Sequence, residues 1–191
     1  MTRGPVLHGE MTRLRPVEAR DSERLWEAVQ DPEGTRLTGT TATFTRDQID
    51  EWASTVSDRP GRYDWAICPA AMRDGKPLSD EMIGEIVLND IDEDVRSANL
   101  RLQLLPNYRG RGYGREAILE VLRFAFESEA GPHLHRVSLD VLSINPRAQA
   151  LYESLGFREE GRLRDVHRDG DLWADAVVMS ILEEEYRTLQ D

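Results

Sequence analysis

Apolar positions change period several times along the chain, and each change marks an element. Met11 to Pro16 alternates and predicts a first strand, after which Asp21 or Ser22 caps a helix running to about Gln30. Asp31, Pro32 and Gly34 terminate that helix and lead into a threonine-rich loop from Thr35 to Thr45. Thr45 with Gln48 forms a capping box for a second helix, which carries Ile49, Trp52, Ala53 and Val56 on one face and is closed by Asp58, Pro60 and Gly61. Three apolar strands follow, at Tyr63 to Cys68, Met82 to Leu88 and Ala98 to Leu105. A polar hairpin loop (Met72 to Asp80) and a turn (Asp90 to Arg96) join them into an antiparallel meander.

From Gly112 to Glu129 the period returns to helical, with Ile118, Leu119, Leu122, Ala125 and Phe126 on one stripe. Arg136 to Leu142 is the next strand, and the intervening helix predicts a crossover that makes it parallel to the strand before it. Asn145 caps a further helix with Pro146 at its first position, and Ala148, Leu151, Tyr152 and Leu155 form its apolar stripe. Phe157 to His167 and Leu172 to Leu182 pair as a closing hairpin around Asp169-Gly170, and Glu183 to Asp191 is a short helical tail. The order predicts an α/β fold: a mixed, mostly antiparallel sheet with one parallel strand pair and helices on both faces. If that parallel pair splays, its strand ends leave a crevice suited to a ligand.

Composition narrows the classes. With 191 residues, 39% of them hydrophobic, the chain has the size of one domain, 1–191, with a core from about residue 10 to 182. The opening MTRGPVLHGEMTR has no apolar h-region and no later segment suits a membrane span, so a cytoplasmic protein without a membrane partner is expected. Cys68 is the single cysteine, and no Cys/His cluster has metal-ligand spacing, so neither a disulfide framework nor a metal is expected. Lys+Arg 24 against Asp+Glu 36 gives a net charge of -12, which opposes general nucleic-acid binding. The same field would steer a cationic partner such as an amine, although solubility alone also accounts for it.

One stretch carries chemistry of its own. Leu104 to Glu116, LLPNYRGRGYGRE, takes an apolar strand through a turn of glycines and arginines into a helix. Such a junction presents backbone N–H groups at a positive helix end, where a phosphate can be held. Arg109, Gly112 and Gly114 give the spacing R-x-x-G-x-G. The P-loop is excluded because no lysine is present, and the dinucleotide fingerprint because Arg115 stands where its third glycine belongs. An arginine-rich loop without a ligand is the local alternative.

The turn resembles the acyl-coenzyme A pyrophosphate loop of the GNAT superfamily of N-acetyltransferases. A second stretch, VLSINPRAQALYESLGF, carries Asn145, Ala148, Leu151, Tyr152, Gly156 and Phe157 in that superfamily's N-x-x-A-x-x-L-Y-x-x-x-G-F pattern. The resemblance spans about Met11 to Leu182. Within the superfamily, TRLRPVEARD, IGEIVL and HRDGDLWADAVVMSIL look most like the branch of the ribosomal-protein N-terminal alanine acetyltransferases.

The resemblance implies that acetyl-CoA is the cosubstrate. Leu104 and Leu105 would offer backbone groups to its pantetheine arm, and Arg109, Gly110, Arg111, Gly112, Tyr113 and Gly114 would hold its pyrophosphate. Asn145 would support the pantetheine or thioester region, and Tyr152 would reach the sulfur. Asn145 is equally explained as an N-cap, and Tyr152 as core packing.

Acyl transfer to an amine needs a base for the incoming ammonium, donors for the oxyanion and an acid for the departing thiolate. Tyr152 is the candidate acid, a backbone N–H near Leu105 the candidate oxyanion donor, and Glu85, mid-strand in Ile83-Gly84-Glu85-Ile86-Val87, the candidate base. A glutamate on a solvent-facing strand position is the plain alternative, and Asp165 and His167 are weaker candidates. The resemblance implies that Trp26, Trp52, Trp65 and Trp173 fall on acceptor-side segments; core packing is expected for Trp52, which lies on an apolar stripe, and Trp65 is ambiguous on its strand.

The expected function is direct transfer of an acetyl group from acetyl-CoA to a primary amine, whether a small amine, an antibiotic or a protein N-terminus. It would proceed in a ternary complex, by a monomer or homodimer without a nucleic-acid partner. A catalytically silent acyl-CoA-binding module is the competing expectation.

Overall fold

A computed structural model describes residues 3–190. In chain order the first elements are β1 (Leu7–His8), β2 (Thr12–Pro16), α1 (Ser22–Gln30), α2 (Pro32–Thr38) and α3 (Arg46–Thr55). The middle of the chain forms β3 (Tyr63–Pro69), the small hairpin β4 (Met72–Arg73) and β5 (Lys76–Pro77), then β6 (Gly84–Asp92) and β7 (Ser97–Leu104). After the glycine turn come α4 (Tyr113–Phe126), β8 (Arg136–Leu142), α5 (Pro146–Ser154), β9 (Arg158–Asp169), β10 (Leu172–Leu182) and α6 (Glu183–Thr188).

The main sheet has the order β1-β2-β3-β6-β7-β8-β10-β9. Its neighbours are antiparallel except for β7 and β8, which run parallel as the crossover required. Pairing between those two covers only Ser97–Arg136, Ala98–Val137 and Asn99–Ser138. Beyond Asn99 the strands are no longer hydrogen-bonded to each other, so the expected splay is present.

Each face of the sheet has its own core. On one, Trp65, Ile67, Ile86, Leu88 and Leu100 pack against Ala117, Ile118, Val121 and Leu122 of α4, joined by Tyr152, Leu155 and Phe157 from the α5 region. On the other, Ala66 and Cys68 pack against Leu25 of α1 and Ile49 and Ala53 of α3, with Val56 beside them. Trp65 thus belongs to the main core, fully buried, with its indole N–H donating to the Pro5 carbonyl.

The threonine-rich loop is where the structure departs most from the sequence reading, because its first residues form α2. The Asp31 side chain accepts from the Gly34 N–H at 2.9 Å, Pro32 takes the first helical position, and Gly39 closes the helix at φ 69°. Asp, Pro and Gly therefore begin a second short helix as well as ending the first. The helix lies against β7 and β8, over the strands that splay.

Candidate active site

The splay opens a cleft of about 1690 Å³. Of the residues singled out from sequence, Glu85, Leu104, Arg109, Gly110, Gly112, Gly114, Asn145 and Tyr152 line it.

At one end stands the N-terminus of α4. Gly110 and Gly112 lie at φ 73° and 92°, the left-handed region open to glycine, and no side chain caps the helix at Gly112. Its first-turn N–H groups have no intrahelical acceptor and face the loop. Gly114 completes the junction: a Cβ there would lie 3.1 Å from Leu102 Cδ2 and 3.3 Å from Leu104 Cδ1, so the motif's last glycine lets α4 sit close on β7.

Two guanidinium groups without a carboxylate partner among the described residues stand nearby. Arg115 donates to Ser154 Oγ at 2.8 Å, and Arg147, the second residue of α5, leans over Gly110 so closely that a Cβ on that glycine would overlap it. Sequence reasoning passed over Arg147. Its one signal was a position just after the Asn145-Pro146 cap, which brings it across the cleft to the loop. This end fits a pyrophosphate group: an uncapped helix, glycines that admit close approach, and unpaired arginines.

Arg109 is placed otherwise. Its Nε donates to the Leu104 carbonyl at 3.0 Å, Nη1 to Glu33 at 3.2 Å, and Nη2 is in contact with Asp31. All three bonds tie α2 to the end of β7, so the first residue of R-x-x-G-x-G is engaged as a latch and not turned to the loop. Leu105, Arg111 and Tyr113 do not line the cleft. The Leu105 N–H donates to the Ile83 carbonyl at 3.0 Å, which removes it as an oxyanion donor. Antiparallel alternation from that bond turns the Leu104 backbone groups to the free edge, toward β8. Arg111 is exposed on the turn, and the Tyr113 ring packs edge-on against Tyr108 at 6.2 Å.

Tyr152 reaches the cleft from the main core, where its ring meets Phe157 at 5.8 Å. Burial raises its phenol to about 12, so the group keeps its proton at any physiological pH. Asn145 caps α5 by accepting from the Ala148 N–H at 3.2 Å while lining the cleft.

The opposite end has a polar floor. Register sets Glu85, Val87 and Asn89 of β6 against Gln103, Arg101 and Asn99 of β7, on the face that carries α1 to α3. Gln103 donates to the Ala28 carbonyl at 3.0 Å and Asn99 to Asn89 Oδ1 at 3.0 Å. Glu85 differs: its Oε1 is withdrawn from water and has no hydrogen-bond partner. Loss of hydration, helped by the charge of Asp64 and opposed by Arg62 and Arg101, raises its carboxyl to about 7.

Trp52, expected in the core, is half-buried and lines the cleft with Arg59 and Arg62 stacked over it at 4.5 and 4.8 Å. His167 also lines the cleft, whereas Asp165 does not, and Trp173 is exposed on the closing hairpin. Cys68 is buried in the second core with its thiol raised by desolvation, which suits packing and not nucleophilic attack. Among the described residues no group of His, Cys, Asp and Glu could hold a metal ion, and no helix is long and apolar enough to cross a membrane.

Known proteins place these features in a family. The acetyltransferase (GNAT) domain family matches residues 12–158. The uncharacterized N-acetyltransferase p20 of Bacillus licheniformis is 27% identical over 186 residues, which cover 95% of this chain and 98% of that protein. A spermidine N(1)-acetyltransferase of Vibrio cholerae is 33% identical over 105 residues, 55% of this chain and 59% of that protein. The crystal structure of the spermidine N-acetyltransferase of Vibrio cholerae with CoA and spermine has the same fold. Its TM-score is 0.80 at 24% identity, over 94% of this chain and 99% of that one. The chain belongs to the GNAT family of acetyltransferases, enzymes that transfer an acetyl group from acetyl-CoA to an amine.

Proposed function

We propose that the cleft between β7 and β8 is where this N-acetyltransferase brings acetyl-CoA and a primary amine together in a ternary complex, with Glu85 as general base and Tyr152 as general acid. The observation that carries the reading is the lapse of pairing after Asn99–Ser138 beside the uncapped start of α4. A free strand edge there can hydrogen-bond an extended amide-bearing arm as another strand would. The helix end and Arg115 and Arg147 meet the need for phosphate partners at the end of that arm.

Acetyl-CoA supplies the activated acyl thioester. The amine arrives as an ammonium ion and must lose a proton before it can attack. Glu85, with its carboxyl at about 7 and Oε1 unpaired, is poised to accept that proton near neutral pH. The Leu104 N–H, on the free edge, is the donor best placed for the developing oxyanion.

Tyr152 holds the proton that the departing sulfur needs. A thiolate whose thiol has a pKa of about 8.5 in water would take the proton uphill from a buried phenol at about 12, but burial beside the same ring also raises the thiol and narrows that gap. No nucleophilic side chain is required.

The same reading takes a diffusible amine in the cytoplasm as acceptor and a monomer or homodimer as the working unit, without a membrane or nucleic-acid partner. Spermidine, named for the Vibrio relatives, belongs in the set of amines to be tried, because a net charge of -12 steers cations.

Calorimetric titration with acetyl-CoA, coenzyme A and dephospho-coenzyme A, followed by free-thiol release with a panel of amines, tests the assignment. Binding with thiol release on one amine class is the expected result. Failure of all three ligands to bind would overturn the assignment of the cleft.

A further inference from the structure

The chain is acidic, and most of its guanidinium groups sit against a carboxylate: Arg3 on Asp58, Arg15 on Asp21, Arg36 on Asp169, Arg136 on Glu160. The floor around Glu85 breaks this rule. Arg101, two residues from Gln103 on β7, is exposed and has no ion pair or hydrogen bond among the described residues. Among the described residues the Arg59 guanidinium donates only to Thr55 Oγ1, at 3.2 Å, and it sits over the Trp52 ring. Arg62, stacked on the same ring, is neutralised by Asp64 through two bonds of 2.7 and 2.6 Å. Glu51 and Asp90 are on the rim of the same cleft, yet neither makes an ion pair with Arg59 or Arg101.

Two groups of opposite sign on neighbouring strands are therefore left without a hydrogen-bond or ion-pair partner in the protein, one buried and one solvated. Glu85 Oε1 is buried and lacks a donor, while Arg101 lacks an acceptor. Glu85 faces Gln103 and Arg101 faces Val87, so the two are diagonal neighbours on one face of an antiparallel pair, about 7 Å apart at their Cβ atoms. A single small molecule that presents an ammonium to the first and an anion to the second would satisfy both.

We propose that the acceptor is a primary amine carrying a carboxylate or phosphonate within a few bonds of its nitrogen, and that Arg101, supported by Arg59, selects for that anion. The inference rests on the acetyltransferase reading of this cleft. The planar guanidinium offers a two-pronged donor set that matches either anion. Its charge also opposes the binding of a bare polycation, a repulsion that the protein's overall negative field does not remove at contact distance. The chain's field and the site's charge then act at different ranges: the first gathers amines, the second sorts them.

The test compares acetylation of the common amino acids and 2-aminoethylphosphonate with that of the amino-acid amides, ethylamine and spermidine, using the wild-type protein, Arg101→Gln and Arg101→Lys. Calorimetric binding of acetyl-CoA is followed in parallel. A charge-assisted contact of ordinary strength predicts that an anion-bearing amine exceeds its neutral counterpart by about 10- to 100-fold in kcat/KM. Arg101→Gln should raise KM for the anionic acceptor by a similar factor, whereas the neutral amine should lose only the smaller part that follows from a further rise of the Glu85 carboxyl, a loss that disappears at alkaline pH. Arg101→Lys should fall between, keeping charge but not the fork.

The carboxylate and phosphonate arms tell which anion is preferred. Equal or better turnover of the amides or spermidine, no turnover of any anion-bearing amine, or an equal loss on all amines in Arg101→Gln would overturn the proposal while leaving acetyl-CoA binding intact. Loss of acetyl-CoA binding itself would instead overturn the assignment of the cleft.

Discussion

The two ends of the cleft are built by different means. The end proposed for the coenzyme is made chiefly of backbone, with two glycines of positive φ, an uncapped helix start and a strand edge left open by the parting of β7 and β8, and only Arg115 and Arg147 are added from side chains. The end proposed for the acceptor is made of side chains, with Glu85 and Arg101 on the floor, Trp52 with Arg59 as wall, and α2 latched across by Arg109. A backbone site depends on glycines at fixed spacing and tolerates change elsewhere. A side-chain site depends on which charges remain unpaired, and one substitution can reassign it.

The sharpest way to break the acceptor end is Glu85→Gln. If Glu85 is the base proposed above, this should lower kcat/KM by about 10³, within the range of general-base effects, and abolish the acidic limb of the pH profile. In the wild type that limb should have an apparent pKa near 7 and rise with pH as Glu85 loses its proton. Tyr152, held protonated to about 12, should cause no fall below pH 9.

The same substitution has the opposite effect on stability. A carboxyl raised from 4.5 to about 7 in the folded chain binds a proton that the unfolded chain has released, so wild-type stability declines between those values as pH rises. Glu85→Gln should therefore be more stable than wild type at pH 8 by up to about 3 kcal/mol, and nearly equal to it at pH 4, in urea unfolding. Lower activity with higher stability is the mark of a strained functional group. A variant less stable than wild type at pH 8 would point to a structural role instead.

Tyr152→Phe acts at the junction of the two ends. It removes one hydroxyl and leaves the ring contact with Phe157, so turnover should fall by about 10² or less with coenzyme affinity nearly intact. Equal rates for variant and wild type across pH would remove the proton-donor role.

At the coenzyme end, Gly112→Val places a β-branched residue at φ 92°, although the nearest atoms to a new Cβ, in Met11, are 3.7 Å away. Backbone strain and not crowding is therefore the expected cause of damage. Coenzyme A affinity should drop about 10-fold in calorimetry, while thermal stability falls modestly.

What the sequence revealed follows the same division. The strands of the meander, the parallel crossover, the Thr45–Gln48 capping box and the Asn145 cap were all legible, because period and capping chemistry are local. The glycine loop was legible because its spacing encodes backbone geometry. The partners of Arg109 were not, since Asp31 and Glu33 are brought to it from far along the chain. Nor was Arg147, whose guanidinium crosses from α5 to the loop. Trp52 sits on a clear apolar stripe, yet only tertiary packing leaves it at the edge of the second core, where two arginines cover it. α2 is hidden for a related reason: Asp31, Pro32 and Gly34 stop one helix and start the next, and either role alone accounts for all three.

α2 also provides the finest test of how the ends communicate. α2 is fastened at both sides of the cleft, to β7 through Arg109 with Asp31 and Glu33, and to β9 through Arg36 with Asp169 at 2.6 Å. The two fastenings are unequal. Asp31 is largely buried and also caps α2, so Asp31→Ala removes an ion pair and an N-cap together and should cost about 2 kcal/mol. Arg36 is half exposed, and Asp169→Ala should cost under about 1 kcal/mol.

If α2 positions the acceptor and leaves the phosphate grip to the loop, Asp31→Ala should raise the acceptor KM by about 10-fold with coenzyme A affinity within about 3-fold, whereas Asp169→Ala should move either by no more than about 2-fold. A parallel loss of coenzyme affinity in Asp31→Ala would mean that Arg109, once released, had been supporting the loop as well as the helix. The latch would then join the two ends, and Arg109 would serve the glycine motif by holding the end of β7 from which the turn departs.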